Sequence, residues 1–226
     1  MQKTIESIAI QTFKDVEVWV VDGGASAETQ NYLAQLKTPF FAISEKDQGI
    51  YDAMNKGVAR SQGEWLYFIG AGDIFESPTV LEEVFKYTIE PETQILLGNI
   101  VYDAGSIKKV AFFSKWTRLL WVKNTVHHQS IFYKHEIFNQ QTYDPNLKVL
   151  GDYELNLSLF IKKVNVKKYP LFIANCELNG LSKMYNYQLY REEYQLKIKH
   201  AHAILKPFFF GMFILKFLIR KTISFF

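Results

Sequence analysis

Cysteine is almost missing from this chain: Cys176 is the only one in 226 residues. A disulfide within the chain and a cysteine-rich metal site are therefore excluded, and a reducing, cytosolic compartment fits. The opening "MQKTIESIAIQTF" is too polar for a secretory leader. No G-x-G-x-x-G follows a predicted strand, so the dinucleotide fingerprint of dehydrogenases is lacking. There is no internal repeat and no low-complexity linker. Charge of one sign is scarce overall, since the net charge is only +3. It is unevenly spread, with acidic residues frequent up to Glu92 and Lys and Arg frequent after Lys108. That asymmetry suits an anionic substrate or surface, although a lysine-rich face is more often simply solvated. Nothing in the pattern calls for a nucleic acid partner.

What is present is a sizeable apolar content, 48% of the chain, enough for the core of one α/β domain with or without an appendage. "KTIESIAIQTF" has Ile5, Ile8, Ala9 and Phe13 at helical spacing. Residues Val16 to Asp22, "VEVWVVD", form a β-branched and aromatic run that predicts a strand buried on both faces. "ETQNYLAQL" predicts a helix and "FFAIS" a strand. A helix with Ile50, Ala53, Met54 and Val58 on one face follows, stopped at Gly63, and "EWLYFIG" is the next strand. "SPTVLEEVFKYT" predicts a helix with Ser77 as N-cap and Pro78 at its first position. "ILLGNIVYD" and "KKVAFF" predict a pair of strands. This alternation predicts an α/β, Rossmann-like fold: a mixed, mostly parallel sheet flanked by helices.

Ligands in such sheets bind at the carboxyl ends of the strands. Two predicted strands end there in a carboxylate beside glycine: "VVDGG" at Asp22 and "FIGAGD" at Asp73. Glycine lets a ligand approach the backbone, and a carboxylate can accept hydrogen bonds or hold a hard divalent cation. Asp and Gly are also ordinary turn formers, which is the plain alternative at each position.

These segments resemble family 2 glycosyltransferases of the GT-A fold, with the closest similarity to the branch that builds bacterial surface polysaccharides. The resemblance rests on "QKTIESIAIQTFKDVEVWVVDGGASAETQNYL" and "SEKDQGIYDAMNKGVARSQGEWLYFIGAGD" for the nucleotide-sugar half. "NTVHHQSIFYKHEIF", "YDPNLKVLGDYELNL" and "IANCELNGLS" follow in the family's order for the acceptor half. It covers residues 1–185 as a glycosyltransferase domain and leaves 186–226 as a C-terminal helical segment.

The resemblance implies roles for matched positions. Asp22 would contact the nucleotide base, and Asp47, Tyr51 and Asn55 would lie beside the nucleoside. Asp73 would hold Mg²⁺ or Mn²⁺ on the diphosphate. Asp152 of "LGDYE" would be the general base in a single inverting displacement; as a residue type it is equally suited to cap the helix "YELNLSLFIKK". His127, His128 and Gln129 would line the acceptor side. Adjacent histidines on an extended strand point to opposite faces, so one of the two is expected to face the acceptor or the metal and the other to pack or solvate. Two departures from the family stand out. The strand that normally precedes the first helix is not in the sequence, which predicts a gap in the sheet beside Asp22. Gly70, Ala71 and Gly72 replace the first acidic positions of the metal motif.

The tail, Lys206 to Phe226, is rich in Phe, Ile and Leu but carries Lys216, Arg220 and Lys221. Lys216 near its middle argues against a spanning helix. A helix lying on an anionic membrane surface is expected, with packing on the domain as the plain alternative. Together these readings predict an inverting, metal-dependent glycosyltransferase. It would move a sugar from a nucleotide-diphosphate sugar to a saccharide or lipid-linked acceptor at the inner face of the cell membrane. The alternative is a truncated, non-catalytic domain of the same type that only binds.

Overall fold

The structure, a computed structural model, describes residues 1–24, 26–103, 109–177 and 187–223. Two sheets carry the chain. The smaller pairs β1 (Val18–Asp22) with β2 (Phe40–Ser44) in parallel. The larger has the order β3 (Trp65–Tyr67), β7 (Ile131–Lys134), β5 (Ile95–Asp103), β8 (Val166–Glu177), β4 (Ile74–Phe75), with β6 (Lys109–Phe112) also on β5. β5 and β8 run parallel, while the other pairings of this sheet are antiparallel. The mixed sheet is therefore present, with fewer parallel pairings than the strand–helix alternation alone predicts.

β1 is only half-buried, not doubly buried, because its one strand neighbour among the described residues is β2. Among the described residues no strand pairs with its other edge. The Glu17 carboxylate, just before β1, spans toward the larger sheet by accepting from the amides of Gln62 and Gly63, the latter at 2.7 Å.

α1 (Gln2–Ala9) departs from its apolar reading. It buries Thr4 and Ser7 beside Ile5. Thr4 Oγ1 accepts from the Gly72 amide at 3.0 Å, and Gln11, just past the helix, donates to the Ser77 carbonyl at 2.8 Å. The polar stripe of this helix thus holds the "GAGD" turn and the segment after it. α2 (Ala27–Leu33) is capped by Ser26, and α3 (Ile50–Arg60) packs on β1, with Gly57 against Val21. α4 (Val80–Phe85) starts two residues later than predicted, with Thr79 as N-cap. Ser77 instead accepts from the Thr79 amide at 3.3 Å, closing the turn before the helix.

The core is built around β5, whose alternate residues face two apolar clusters. Ile95 and Leu97 join one and Leu96 the other. α5 (Gly151–Ile161) is buried from Gly151 to Leu159 although it carries Asp152, Glu154, Asn156 and Ser158. Burying such groups is tolerable only with partners. Each has one, His128 for Asp152, His200 and Lys199 for Glu154, Tyr133 for the Asn156 oxygen and Gln141 for Ser158, while the Asn156 amide nitrogen has no hydrogen-bond partner among the described residues. α6 (Tyr187–His200) supplies Leu196 to the core, and α7 (Lys206–Ile223) lies on α6.

Candidate active site

The sequence places Asp73 after a turn made of glycine and alanine, and the structure shows why only small residues fit. Gly72 has φ +113°, a left-handed conformation costly for other residues. A Cβ there would lie 3.0 Å from the Glu177 carboxyl carbon, and one on Gly70 would lie 3.0 Å from Asp73 Oδ2. Asp73 Oδ1 accepts from the Glu177 amide at 3.0 Å, and Oδ2 accepts from Gln129 Nε2 at 2.5 Å. A carboxylate has about four lone-pair sites, so these two bonds leave Asp73 able to bind a cation. Glu177 adds a second carboxylate beside the turn.

His127 to Ser130 is where the expectation of opposite faces fails. Residues His128–Ser130 form a 3₁₀ turn rather than extended strand. The two imidazoles therefore stack on one side, 5.1 Å apart and 20° from parallel. His127 also lies edge-on to Tyr102 at 5.7 Å. His128 Nδ1 stands 3.5 Å from Asp152 Oδ2. The next residue, Gln129, holds Asp73, and its carbonyl accepts from the Tyr67 hydroxyl at 2.9 Å. One three-residue turn thus touches both Asp73 and Asp152.

Asp152 is 8% exposed and sits in the first turn of α5. Leu150 is the N-cap, so Asp152 does not cap the helix. Burial pushes its carboxyl pKa up. The bond to His128, the charges of His128 and His127 and a backbone amide outweigh this and hold it below the ordinary aspartate range. The site therefore offers an ionised acceptor at neutral pH.

Tyr51 and Asn55, expected beside the nucleoside, bond to the segment ahead of α5. Tyr51 is buried; its hydroxyl donates to the Val149 carbonyl at 2.6 Å and stands 3.4 Å from Asp152 Oδ1. Asn55 pairs both amide atoms with the Tyr143 backbone, at 2.9 and 3.0 Å. Both tie α3 to the loop ahead of α5, because the face of α3 that carries them is turned to the core. Gly151 is required by Tyr51: an added Cβ would lie 2.8 Å from the ring. Alanine normally favours a helix over glycine by about 1 kcal/mol, but overpacking costs about 1–3 kcal/mol. Gly151→Ala is therefore expected to lower the thermal midpoint, as read by calorimetry.

At the β1 end, Asp22 accepts from the Ser44 hydroxyl at 2.7 Å. Asp47 Oδ1 accepts from the Gly49 amide at 3.0 Å, shaping the start of α3. Asp47 Oδ2 lies 2.4 Å from where a Gly23 Cβ would be, so glycine lets Asp47 lie against the end of β1. The structure brings Asp22 and Asp47 together at this end, and Asp73, Gln129, His128 and Asp152 together beside it. Sequence reasoning missed Glu177 and Lys148. Lys148 Nζ donates to the Gln48 carbonyl at 3.1 Å, joining the Asp47 loop to the approach to α5. Position was the available signal, four residues before Asp152 for Lys148 and within a quoted block for Glu177.

Among the described residues no helix is long and apolar enough to cross a membrane, and no three His, Cys, Asp or Glu residues cluster as a metal site. Lys216, expected on lipid, instead pairs with Glu193 and donates to the Val122 carbonyl at 2.9 Å. The side chains of Arg220 and Lys221, and the "LNGLS" part of the last quoted block, lie outside the described residues.

The sequence model of "Glycosyl transferase family 2" matches residues 1–147. A PGL/p-HBAD biosynthesis glycosyltransferase of Mycobacterium bovis is 32% identical over 186 residues, covering 79% of this chain and 72% of that protein. Among solved structures, S. aureus TarS 1–349 in complex with UDP-GlcNAc superposes with a TM-score of 0.68 at 15% identity, over 94% of this chain and 67% of TarS 1–349. The mannosyltransferase PcManGT from Pyrobaculum calidifontis, in complex with GDP-Man and Mn²⁺, superposes at 0.64 with 13% identity, over 92% of this chain and 63% of PcManGT. At those identities the two structures speak for the fold.

Proposed function

The chain belongs to glycosyl transferase family 2 and has the GT-A fold, and on that premise we propose that it transfers a sugar from a nucleotide-diphosphate sugar to a saccharide acceptor, lipid-linked and part of a cell-surface polysaccharide, with inversion at the anomeric carbon. The observation that carries this reading is the 3₁₀ turn His128–Ser130, which holds Asp73 on one side and Asp152 on the other. A donor lying along the ends of β1 and β3 would present its base to Asp22 and Asp47 and its diphosphate to Asp73. Asp73 would hold Mg²⁺ or Mn²⁺, since one or two carboxylates suffice for Mg²⁺ when phosphates and water complete its shell. The bound metal would supply charge stabilisation for the departing nucleoside diphosphate.

Asp152 would take the proton of the acceptor hydroxyl while that oxygen attacks the anomeric carbon from the face opposite the diphosphate. His128 orients the carboxylate and keeps it ionised. A carboxyl held below the ordinary aspartate range is a weak base. Proton transfer would therefore come as the new C–O bond forms and the hydroxyl becomes acidic. The solved structures of similar fold hold UDP-GlcNAc in one case and GDP-Man with Mn²⁺ in the other, which supports a nucleotide-sugar donor. The test is incubation with UDP- and GDP-sugars and an oligosaccharide acceptor. Nucleoside diphosphate release and a product of inverted anomeric configuration, read by NMR, are expected. Binding of nucleotide with no release would favour the binding-only alternative.

We also propose that α7 docks on the inner membrane face. Phe209 is 5% exposed and stacks on Trp121, and Lys216 pairs inward. The opposite side leaves Phe208, Leu215, Leu218 and Ile219 each more than half exposed. Inserting such side chains contributes about 1.5–3 kcal/mol each, well above about 1 kcal/mol per basic residue near the surface. Full-length protein is expected to co-sediment with anionic liposomes at low and high salt, and protein lacking 206–226 to remain soluble. Equal sedimentation of the two forms would show that α7 only packs on the domain.

A further inference from the structure

α5 lacks a cap of its own: its N-cap, Leu150, has no side-chain acceptor. The three residues leading into the helix are instead held from a distant part of the chain. Glu192 of α6, 5% exposed, accepts from the amides of Lys148, Val149 and Leu150 at 2.9, 3.0 and 3.3 Å. Charge-assisted bonds of this kind are strong, and a negative charge suits a helix N-terminus. The same three-residue stretch is gripped from the other side, where the Val149 carbonyl accepts from Tyr51. Asp152 follows two residues after Leu150, at the 3.5 Å separation from His128. A second bond fixes α6 to the same helix, His200 Nε2 to Glu154 Oε1 at 2.8 Å.

We propose that Glu192 is a positioning residue for Asp152: by holding residues 148–150, which lead into α5, from α6, it sets where the Asp152 carboxylate stands against His128. Its consequence for catalysis rests on the reading of Asp152 as the base, because a displacement of about 1 Å in a reacting group can cost about 10²-fold in rate. The positional claim stands apart from that reading. The groups facing Asp152 are Tyr51 of α3, His127 and His128 of the 3₁₀ turn, Tyr133 of β7 and Tyr143. Of these, only Tyr51 bonds the stretch that Glu192 holds. Loss of Glu192 would therefore leave that stretch held by Tyr51 at Val149 and by the long Lys148 side chain.

Glu192 lines an open cleft of about 560 Å³ that also includes Asp144, Gln188, Arg191 and Lys199. Water entering from that cleft can solvate the freed amides, so Glu192→Ala is expected to fold. Glu192→Gln, which keeps one acceptor oxygen, is the second variant should it not.

The test uses the full chain with ¹⁵N-labelled histidine, without substrate. The ring nitrogens of His128 are assigned by their loss in His128→Asn, and Asp152→Asn defines their shifts when the carboxylate is gone. In Glu192→Ala the His128 shifts are expected to move at least about halfway from the wild-type toward the Asp152→Asn values, and in Glu192→Gln by less. Exchange of the Lys148, Val149 and Leu150 amides is expected to quicken about tenfold or more. A change in overall stability alone would not move native ring shifts. Faster amide exchange with unmoved His128 shifts would overturn the proposal, as would unchanged exchange. Should Asp152→Asn instead keep full turnover, the base assignment fails while this result stands on its own.

Discussion

Asp152→Asn is expected to lower turnover by about 10²-fold or more while leaving nucleotide affinity within about twofold. The side chain keeps its size, and because Leu150 is the N-cap no capping bond is lost. The cost to stability is a first-turn charge, about 0.3–1 kcal/mol at a helix N-terminus. The cost to chemistry is larger, since a 10²-fold loss equals about 2.7 kcal/mol of transition-state stabilisation. The amide can accept no proton, and its loss of charge leaves His128 facing a neutral group. Steady-state kinetics with UDP- or GDP-sugars and calorimetry with the nucleoside diphosphate separate the two effects. The pH profile adds a check. The wild-type carboxyl is held below its ordinary value of about 3.9. Activity that depends on its ionised form is therefore expected to persist as pH falls through that value and to drop only below it, within the range where the fold survives. Normal turnover in the variant would remove Asp152 from the chemistry.

The second large effect is expected at Asp73. If this carboxylate holds the metal, Mg²⁺ or Mn²⁺ should tighten binding of UDP or GDP to the wild-type chain by about tenfold, or 1.4 kcal/mol. In Asp73→Asn that dependence should vanish. Asparagine is the better variant because it can preserve both hydrogen bonds of the site. Its oxygen can still accept from the Glu177 amide. Its new amide N–H₂ would face Gln129, whose Oε1 is buried and without a partner. A flip of the Gln129 amide brings that oxygen round as acceptor, so the turn keeps its shape and the thermal midpoint should change little. Alanine would leave Gln129 and the Glu177 amide without their acceptor and confound metal loss with local collapse. Calorimetry with and without the metal gives the result directly. Metal-dependent binding that persists unchanged in Asp73→Asn would move the cation to other residues, Glu177 first.

Much of this architecture was legible in residue order. β2 and β5 fall where the apolar runs place them, and the carboxylates at Asp22, Asp73 and Asp152 stand out by their neighbours: glycine, strand ends and a buried helix start. These features are local. Side-chain periodicity and glycine conformation depend on residues a few positions apart, and a sequence displays them directly. Contacts between distant segments do not follow from such patterns. His127 and His128 share a side because a 3₁₀ turn replaces extended strand ahead of β7. Tyr51 and Asn55 tie α3 to Val149 and Tyr143, close to a hundred residues away, through contacts that no local pattern displays.

By itself, then, the sequence determined the alternation of strands and helices, the small-residue turn before Asp73 and the type of chemical group available at each strand end. Only the tertiary structure decided which strands pair and in which direction, which face of α1 is buried, and that Glu192 holds the stretch leading into the helix of Asp152. The physical reason is hydrogen-bond accounting. Every buried polar group needs a partner, but a chain can supply that partner from any segment that packing brings near. The amides at 148–150 could have been met by a cap of their own, by water or by a ligand. They are met by Glu192 because α6 lies against α5, held there by Glu154 with His200 and by Leu196 in the core.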